Sequence, residues 1–309
     1  MRRHLAWETS MKVRMISEEL KREYGSKVLK LSLSSGCTCP NRDGTVGTGG
    51  CSFCSEGGSG DFAAAPAPLE EQIREAKQRV DAKFPASLPP EERKYIAYFQ
   101  SFTNTYGPVE RLRSLYMEAI RRPEVVILSL GTRPDCLEAD TMDMLRDLRA
   151  VKPVWVELGL QTIHEKTARS FGRGYELPVF EEAVCKLKEA DITVIVHVIL
   201  GLPGETREDM LATVQYLADF TPQIDGIKLQ LLHVLKGTRM GEEYVKDPFP
   251  VFTLEEYTDL IVDCLKIIPE HMVVHRMTGD APKRLLIAPA WSADKKRVLN
   301  TLRRKIEQG

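Results

Sequence analysis

Short apolar segments alternate with amphipathic segments along most of the chain, and this alternation limits the fold more than any other feature. Strand-like apolar runs occur at residues 28–34, 95–100, 125–130, 154–160, 192–200 and 226–232. Apolar residues recur at helical spacing over residues 69–83, 108–121, 138–150, 178–190 and 206–219. Strands joined through a helix pair in parallel, because a parallel connection needs a long crossover. The sequence therefore predicts an α/β fold, a partial (β/α)6 barrel of the TIM type.

The chain is predicted to have three parts: an N-terminal helical segment (1–27), the barrel core (28–236) and a C-terminal extension (237–309). The extension is predicted to contain a helix over 254–268, a short strand over 271–275 and a final basic helix. We expect it to pack on the core as a short α/β addition, because nothing in the sequence resembles a flexible linker.

Composition excludes several classes of protein. No stretch approaches the roughly 18 uninterrupted apolar residues of a membrane span. The first ten residues lack the apolar segment of a secretory signal. Seven cysteines among 309 residues are too sparse for a disulfide scaffold. We expect a cytoplasmic protein without a membrane partner, whose cysteines act as ligands or nucleophiles.

The formal net charge of −1 hides an uneven distribution. Residues 1–30 carry eight basic and four acidic side chains, and residues 276–309 carry nine basic and three acidic ones. Basic ends on an acidic body are typical either of solvated helix faces or of helices that contact an anion such as RNA phosphate.

Four cysteines follow the first strand-like run within 18 residues, in the segment CTCPNRDGTVGTGGCSFC that begins at Cys37. Thiolates at such spacing suit zinc or an iron–sulfur cluster. Zinc sites usually use two separated CxxC pairs, whereas this loop has one, Cys51–Cys54. Three thiolates at Cys39, Cys51 and Cys54 would leave one iron of a [4Fe–4S] cluster open.

The C-x11-C-x2-C pattern, with Phe53 inside the CxxC, resembles radical S-adenosylmethionine (SAM) enzymes, in the branch that contains the Elongator catalytic subunit and the MiaB-like enzymes. More narrowly, CPNRDGTVGTGGCSFC resembles the YhcC/YtqA-like radical SAM proteins of bacteria, and the similarity runs from about Tyr24 to the end. The resemblance implies a radical SAM core, a [4Fe–4S] cluster on the three cysteines of the pattern, and S-adenosyl-L-methionine as cosubstrate. It also implies an external electron donor of the flavodoxin or ferredoxin type. Cys37 departs from the family, where this position is usually aromatic, and is either a spare thiol or a substitute for Cys39.

Further cofactor contacts implied by the resemblance lie at or near strand ends. They are Phe53, Gln100, Ser101, Thr132, Glu157, Gln161, Arg173, Gly201 and Gly204. Glu157 is expected to accept hydrogen bonds from ribose hydroxyls, and Arg173 to pair with the carboxylate of SAM. The two glycines would let the adenine approach the backbone. The alternatives are an edge salt bridge for Arg173 and a capping role for Gln161.

Three functions remain open from the sequence. The first is tRNA modification at the side chain of the wobble uridine, favoured by the Elongator resemblance and by the basic clusters at 295–297 and 303–305. The second is radical chemistry on a small metabolite, and the third is a non-enzymatic metal-binding module. Asn104, His197 and His233 are expected near the substrate, and no acid–base catalytic residue is identified.

Overall fold

A computed structural model describes residues 13–58 and 60–308, and a parallel sheet lies at its centre. Residues 1–12, which belong to the predicted N-terminal segment and carry part of its charge, lie outside the described residues. The strands are β1 Val28–Leu33, β2 Lys94–Phe99, β3 Val125–Thr132, β4 Val154–Gln161, β5 Thr193–Leu200, β6 Gly226–Leu231, β7 Val234–Leu235, β8 Val273–Arg276 and β9 Leu286–Ala288. The main sheet has the order β1-β2-β3-β4-β5-β6-β8, and all of its neighbours are parallel.

This sheet confirms the predicted α/β half-barrel and adds one strand to it. The short strand predicted at 271–275 is β8, which pairs with β6 at the register Ile227↔Val274. Val274 is completely buried, so the strand completes the barrel wall instead of lying apart from it. β7 and β9 form a separate antiparallel pair.

Within the described ranges the chain forms helices on the outside of this sheet and at its ends. They are α1 Ile16–Tyr24, α2 Leu69–Val80, α3 Val109–Ile120, α4 Ala139–Arg149, α5 Glu165–Phe171, α6 Leu177–Glu189, α7 Arg207–Ala218, α8 Arg239–Lys246, α9 Leu254–Ile267 and α10 Lys295–Gln308. Two of them, α5 and α8, were not predicted, because seven or eight residues are too few to show a helical period clearly. None of the helices in the described part of the chain has the length and apolar character needed to cross a bilayer.

The amino-terminal end of the barrel is filled by apolar side chains. Inward-pointing residues of five strands form this floor: Val28, Ile96, Ile127, Trp155 and Ile195. Leu20 of α1 packs against them from below. With this end closed, the carboxyl ends of the strands form the open end, which is where parallel α/β proteins bind ligands.

The last helix, α10, is fixed to the barrel by a narrow apolar stripe. Val298 and Leu302 are buried in the main hydrophobic core, and α10 lies beside α9, whose Asp259 accepts a hydrogen bond from Lys305 at 2.5 Å. The neighbouring Leu299 points outward and is 39% exposed.

These two leucines give a matched test of how α10 is held. We expect Leu302→Ala to lower the free energy of unfolding by about 2–5 kcal/mol, because it leaves a cavity in the core. Leu299→Ala should change it by less than about 0.5 kcal/mol. Urea denaturation of both variants measures the difference, and equal losses would show that α10 is not anchored as described.

Candidate functional site

A cavity of about 920 Å³ occupies the upper half of the barrel and opens at the carboxyl ends of the strands. One side of its mouth is formed by the cysteine-rich loop after β1, and the opposite side includes His233, Arg276 and Lys295. Small-molecule sites usually measure 300–1,000 Å³. The cavity is therefore large enough for a cofactor together with part of a second molecule.

The cysteine loop places three of its four thiols on the cavity wall. Cys39, Cys51 and Cys54 line the cavity. Cys37 is buried in the hydrophobic core behind the loop, where its Sγ accepts a hydrogen bond from Arg111 Nη2 at 3.4 Å. The structure thus brings together the three predicted ligands and separates Cys37 from them.

Asn41 holds the cysteine loop against the segment that follows α5. Its Nδ2 donates to the carbonyl oxygens of Gly172, at 2.7 Å, and Arg173, at 3.1 Å. A Cβ at Gly174 would lie 2.6 Å from Asn41 Oδ1, and the φ of Gly174 is +79°. Glycine at position 174 is therefore required for the loop to dock at this distance.

The thiols lie beside a cation. A hydrogen bond shared with Cys54, followed by burial, raises the pKa of the Cys51 thiol, while the charge of Arg133 lowers it. Arg133 lines the cavity and is fixed by a bidentate pair with Asp135, at 2.8 and 2.6 Å. The net effect raises the pKa of Cys51 well above its usual range, and the Asn41 amide and the Arg133 charge only partly oppose that rise; a thiolate is the form in which cysteine binds metal.

The number of thiols on the cavity wall indicates which kind of metal group they could hold. In the described parts of the chain, no three His, Cys, Asp or Glu side chains converge on a point that one metal ion could occupy. A zinc ion would need sulfurs about 2.3 Å away from it. Three thiols that face a common cavity, with no fourth beside them on its wall, match an iron–sulfur cluster with one iron free of cysteine.

The other predicted cofactor contacts divide into two groups. Six line the cavity: Phe53, Gln100, Thr132, Glu157, Gln161 and Arg173. Three do not. Ser101 is buried against Gly60, Gly201 packs against Phe252, and Gly204 faces open space. The contacts predicted for these three residues are therefore not supported by their positions.

Gln161 reaches the cavity through an irregularity at the end of β4. The pairing of β4 with β5 shifts register between Gly159 and Gln161, and Gln161 has a φ of +67°. A Cβ on Gly159 would lie 2.6 Å from Gln161 Nε2, so the missing side chain at 159 leaves room for the amide.

Arg173 has an internal role instead of the predicted pairing with a cofactor carboxylate. Its side chain is 1% exposed and forms an ion pair with Glu165 at 2.7 Å. It also donates to the carbonyl oxygens of Leu160, Thr162 and Tyr175. Four of the five N–H groups of the guanidinium are thus used within the protein, and they fasten the end of β4 to the turn before α6.

Glu157 is the centre of a polar layer directly above the apolar floor, and its carboxylate is fully occupied. Five side chains donate to it: Lys30 and Ser129 to one oxygen, each at 2.8 Å, and Tyr98, His197 and Lys228 to the other. The ribose contact predicted for Glu157 is therefore replaced by this network.

Burial and charge both shift the pKa values of the polar layer: burial lowers the pKa of Lys228 well below its usual range, and the Glu157 carboxylate opposes that shift. Burial raises the pKa of Glu157, but the Lys228 and Lys30 cations outweigh it and hold that pKa well below its usual range. Burial, and then the charge of Lys228, lower the pKa of His197 to about 4. At neutral pH the neutral imidazole therefore donates its Nε2–H to Glu157, while two lysines share one carboxylate.

Two of the three predicted substrate residues line the cavity, and the third does not. His197 and His233 line the cavity, and burial lowers the pKa of His233 to about 4. Asn104 is completely buried, where its amide donates to the carbonyl oxygens of Phe99 and Gly131. Its place is to join the ends of β2 and β3, and it does not face the cavity.

Sequence reasoning missed three polar residues of the cavity, Lys30, Tyr98 and Arg276, and the buried Lys228, which donates to Tyr98 beneath it. Their signal was present in the alternation of the strands. In Lys30-Leu-Ser32 and in Lys228-Leu-Gln230, polar side chains occupy alternate positions within apolar runs. Since alternate residues of a strand share a face, such pairs indicate a polar barrel interior.

Two family models together match most of the chain, and a bacterial protein is similar to it over nearly its whole length. The model of the radical SAM superfamily matches residues 38–217, and the model of the radical SAM C-terminal domain matches residues 224–308. The Bacillus subtilis protein YtqA, which is described as uncharacterised, is 43% identical over 97% of this chain and 91% of its own length.

Two more distant similarities are to a tRNA-modifying enzyme and to a solved structure. A tRNA uridine(34) acetyltransferase of Dehalococcoides mccartyi is 31% identical over 57% of this chain and 38% of its own length. The structure of Elp3 from Methanocaldococcus infernus superposes with a TM-score of 0.65 at 17% identity, covering 91% of this chain and 63% of the other. At that identity the superposition shows a shared fold.

The Glu157 network makes a direct prediction about stability. Glu157→Gln removes the carboxylate that pairs with the buried Lys228 and the half-buried Lys30, so we expect it to lower the free energy of unfolding by about 3–5 kcal/mol. Adding Lys228→Met should restore much of the loss, since it removes the uncompensated charge. Both are measured by urea denaturation.

The control for this prediction is Glu75→Gln, which breaks an exposed pair with Arg79 at 3.4 Å. Exposed pairs contribute about 0–1 kcal/mol, so this variant should unfold almost as the wild type does. A Glu157→Gln protein as stable as the Glu75→Gln control would contradict the account of the polar layer.

Proposed function

The chain belongs to the radical SAM superfamily and is an enzyme of that class; from this premise we propose that it modifies tRNA at the side chain of the wobble uridine. We propose further that Cys39, Cys51 and Cys54 hold a [4Fe–4S] cluster. The observation that carries the cluster assignment is the position of these three thiols on the wall of a cavity whose lower end is closed, whereas Cys37 is buried behind the loop. When bound there, the cluster and SAM supply a 5′-deoxyadenosyl radical by one-electron reductive cleavage.

The residues around the three cysteines supply a suitable environment. Arg133 places a fixed positive charge beside the thiolates. Phe53, inside the CxxC, packs on Phe171 with ring centroids 5.1 Å apart, which makes that side of the mouth apolar. Gln100, Thr132 and Gln161 remain the candidates for polar contacts with SAM. An external donor of the flavodoxin or ferredoxin type would deliver the electron.

The barrel interior supports a substrate that carries several oxygen acceptors. Lys30 lines the cavity and has three N–H donors, one of which it gives to Glu157 at 2.8 Å. Lys228 is buried beneath the cavity and donates to Glu157 and Tyr98. Tyr98 stacks under both ammonium groups, at 4.2 and 4.7 Å from its ring centroid. The apolar floor excludes water from below, which protects a reactive intermediate.

The choice of tRNA rests on the distant similarity to the tRNA uridine(34) acetyltransferase and on the basic C-terminal helix. A modified or unmodified uracil presents carbonyl oxygens, which the lysines of the polar layer can meet. A small metabolite with oxygen acceptors would also fit the layer, and the experiment below separates the two.

The cysteine assignment is tested by an anaerobic assay. The protein is reconstituted with iron and sulfide, treated with dithionite and SAM, and analysed for iron and for 5′-deoxyadenosine. We expect Cys39→Ala, Cys51→Ala and Cys54→Ala each to lose the cluster and the product, because three thiolates are the minimum for this site. The matched control, Cys37→Ala, should keep both, and a Cys51→Ala protein with full iron content would overturn the assignment.

The substrate is tested in the same assay by adding tRNA from cells that lack the wobble-uridine modification. Stimulated 5′-deoxyadenosine formation and an altered nucleoside at the wobble position support tRNA as substrate. Product that forms at the same rate with and without tRNA, and leaves every tRNA nucleoside unchanged, overturns the tRNA proposal and leaves the radical chemistry standing.

A further inference from the structure

One face of α10 carries basic side chains that have no acidic partner among the residues the structure describes. They are Lys296, Arg297, Arg303 and Arg304, and all four are exposed. The other basic residues of the helix are paired: Lys295 with Asp280, and Lys305 with Glu255 and Asp259. The four unpaired residues therefore differ from the other basic residues of α10, which form ion pairs.

The four residues lie together on the side opposite the buried stripe. Successive residues of a helix are 100° apart, so Lys296, Arg303 and Arg304 fall within about 100° of one another and Arg297 lies at the edge of that sector. Val298 and Leu302 point the other way, into the core. A shallow depression along the basic face is lined by Lys296, Arg297, Arg304, Asn300 and Thr301, with the Asp294 carboxylate at the start of the helix.

The basic face begins at the mouth of the cavity. Lys295, the first residue of α10, lines the cavity. Further along, Lys305 pairs with Glu255 and Asp259 in the first turns of α9, and α9 begins at the open end of the barrel because its carboxyl end leads into β8. Both ends of α10 therefore lie near the open end of the barrel, and Lys296, the first residue of the basic face, directly follows the cavity-lining Lys295.

We propose that this face, Lys296, Arg297, Arg303 and Arg304, binds the sugar–phosphate backbone of an RNA whose nucleotide enters the cavity. The proposal rests on the proposed function and adds to it the surface that holds the RNA. From Lys296 to Arg304 the helix rises about 12 Å, so the four cations meet a length of backbone and not a single anion.

The chemistry of the face favours RNA over a lipid surface. A helix that lies on a membrane inserts an apolar face between headgroups, but the apolar stripe of α10 is buried against the protein. What remains exposed is mainly arginine and lysine around the amide of Asn300, with the carboxylates of Asp294 and Glu307 beside them; arginine, lysine and amide groups are the set that contacts phosphate and sugar oxygens. A large apolar surface is not available beside it, since Leu299 is the one exposed large hydrophobic residue of the described helix.

The test compares two double variants of the full chain, each lacking two unpaired cations. In Lys296→Gln/Arg304→Gln the charges come from the basic face. In the control, Lys21→Gln/Arg121→Gln, they come from exposed residues of α1 and of the end of α3, at the closed end of the barrel. Binding of fluorescently labelled, undermodified tRNA is measured by anisotropy at several KCl concentrations, after urea denaturation has shown that both variants are folded.

We expect the α10 variant to bind on the order of tenfold more weakly at low salt, and the slope of log Kd against log salt to fall by about two, because each phosphate contact contributes close to one to that slope. The control should match the wild type. If the wild type binds tRNA and the α10 variant binds with the same affinity and slope, this surface is not the RNA site, whereas the proposed function stands. If the wild type itself does not bind tRNA, the tRNA function fails and the surface proposal fails with it.

Discussion

A single buried carboxylate organises the interior of this barrel. Each of the six strands from β1 to β6 contributes one side chain at the same level: Lys30, Tyr98, Ser129, Glu157, His197 and Lys228. A charge of this kind is expensive to bury unless it is paired and hydrogen-bonded, so the strands must keep the register that brings all five donors to Glu157. The interaction thus fixes the height of every strand relative to its neighbours.

The rest of the site follows from that level. Below it, the apolar floor and α1 close the barrel, and above it the strands separate into the cavity that the cysteine loop covers. The same layer leaves two lysines opposite one carboxylate. A molecule bound above it therefore meets hydrogen-bond donors from beneath and thiols from one side, an arrangement suited to positioning a polar substrate against a radical source.

Much of this could be read from the sequence, for identifiable reasons. The strands and long helices follow hydrophobic periodicity, and the three cysteines, together with the residues that flank them, resemble one superfamily. The exclusion of Cys37 could not be derived, because residues 37 and 39 are so close in sequence that only the packing of Cys37 beside Arg111 separates them. β8 was recognised as a strand, but its pairing with β6 depends on contacts far apart in sequence.

Two of the predicted cofactor contacts, Glu157 and Arg173, are engaged by groups of the protein itself, and the salt bridge weighed as the alternative for Arg173 is the one it forms with Glu165. Both lie in short sequence motifs that suggest a ligand contact. In the structure, most of the hydrogen-bonding capacity of both side chains is used within the protein. Sequence shows that a charged residue is near a site, but it does not show how many internal partners reach it. Arg133, whose partner Asp135 fixes it at the cavity wall, lies beside the thiols, although nothing in its local sequence distinguishes it from Arg173.

The central claim is that three cysteines hold a cluster with one iron open to SAM, and electron paramagnetic resonance of the reduced, reconstituted protein tests it most directly. If the claim is correct, adding SAM changes the g-values of the reduced cluster, because the cosubstrate binds the iron that lacks a cysteine. A reduced [4Fe–4S] signal that stays the same with saturating SAM would contradict it, since every iron would then already have a protein ligand.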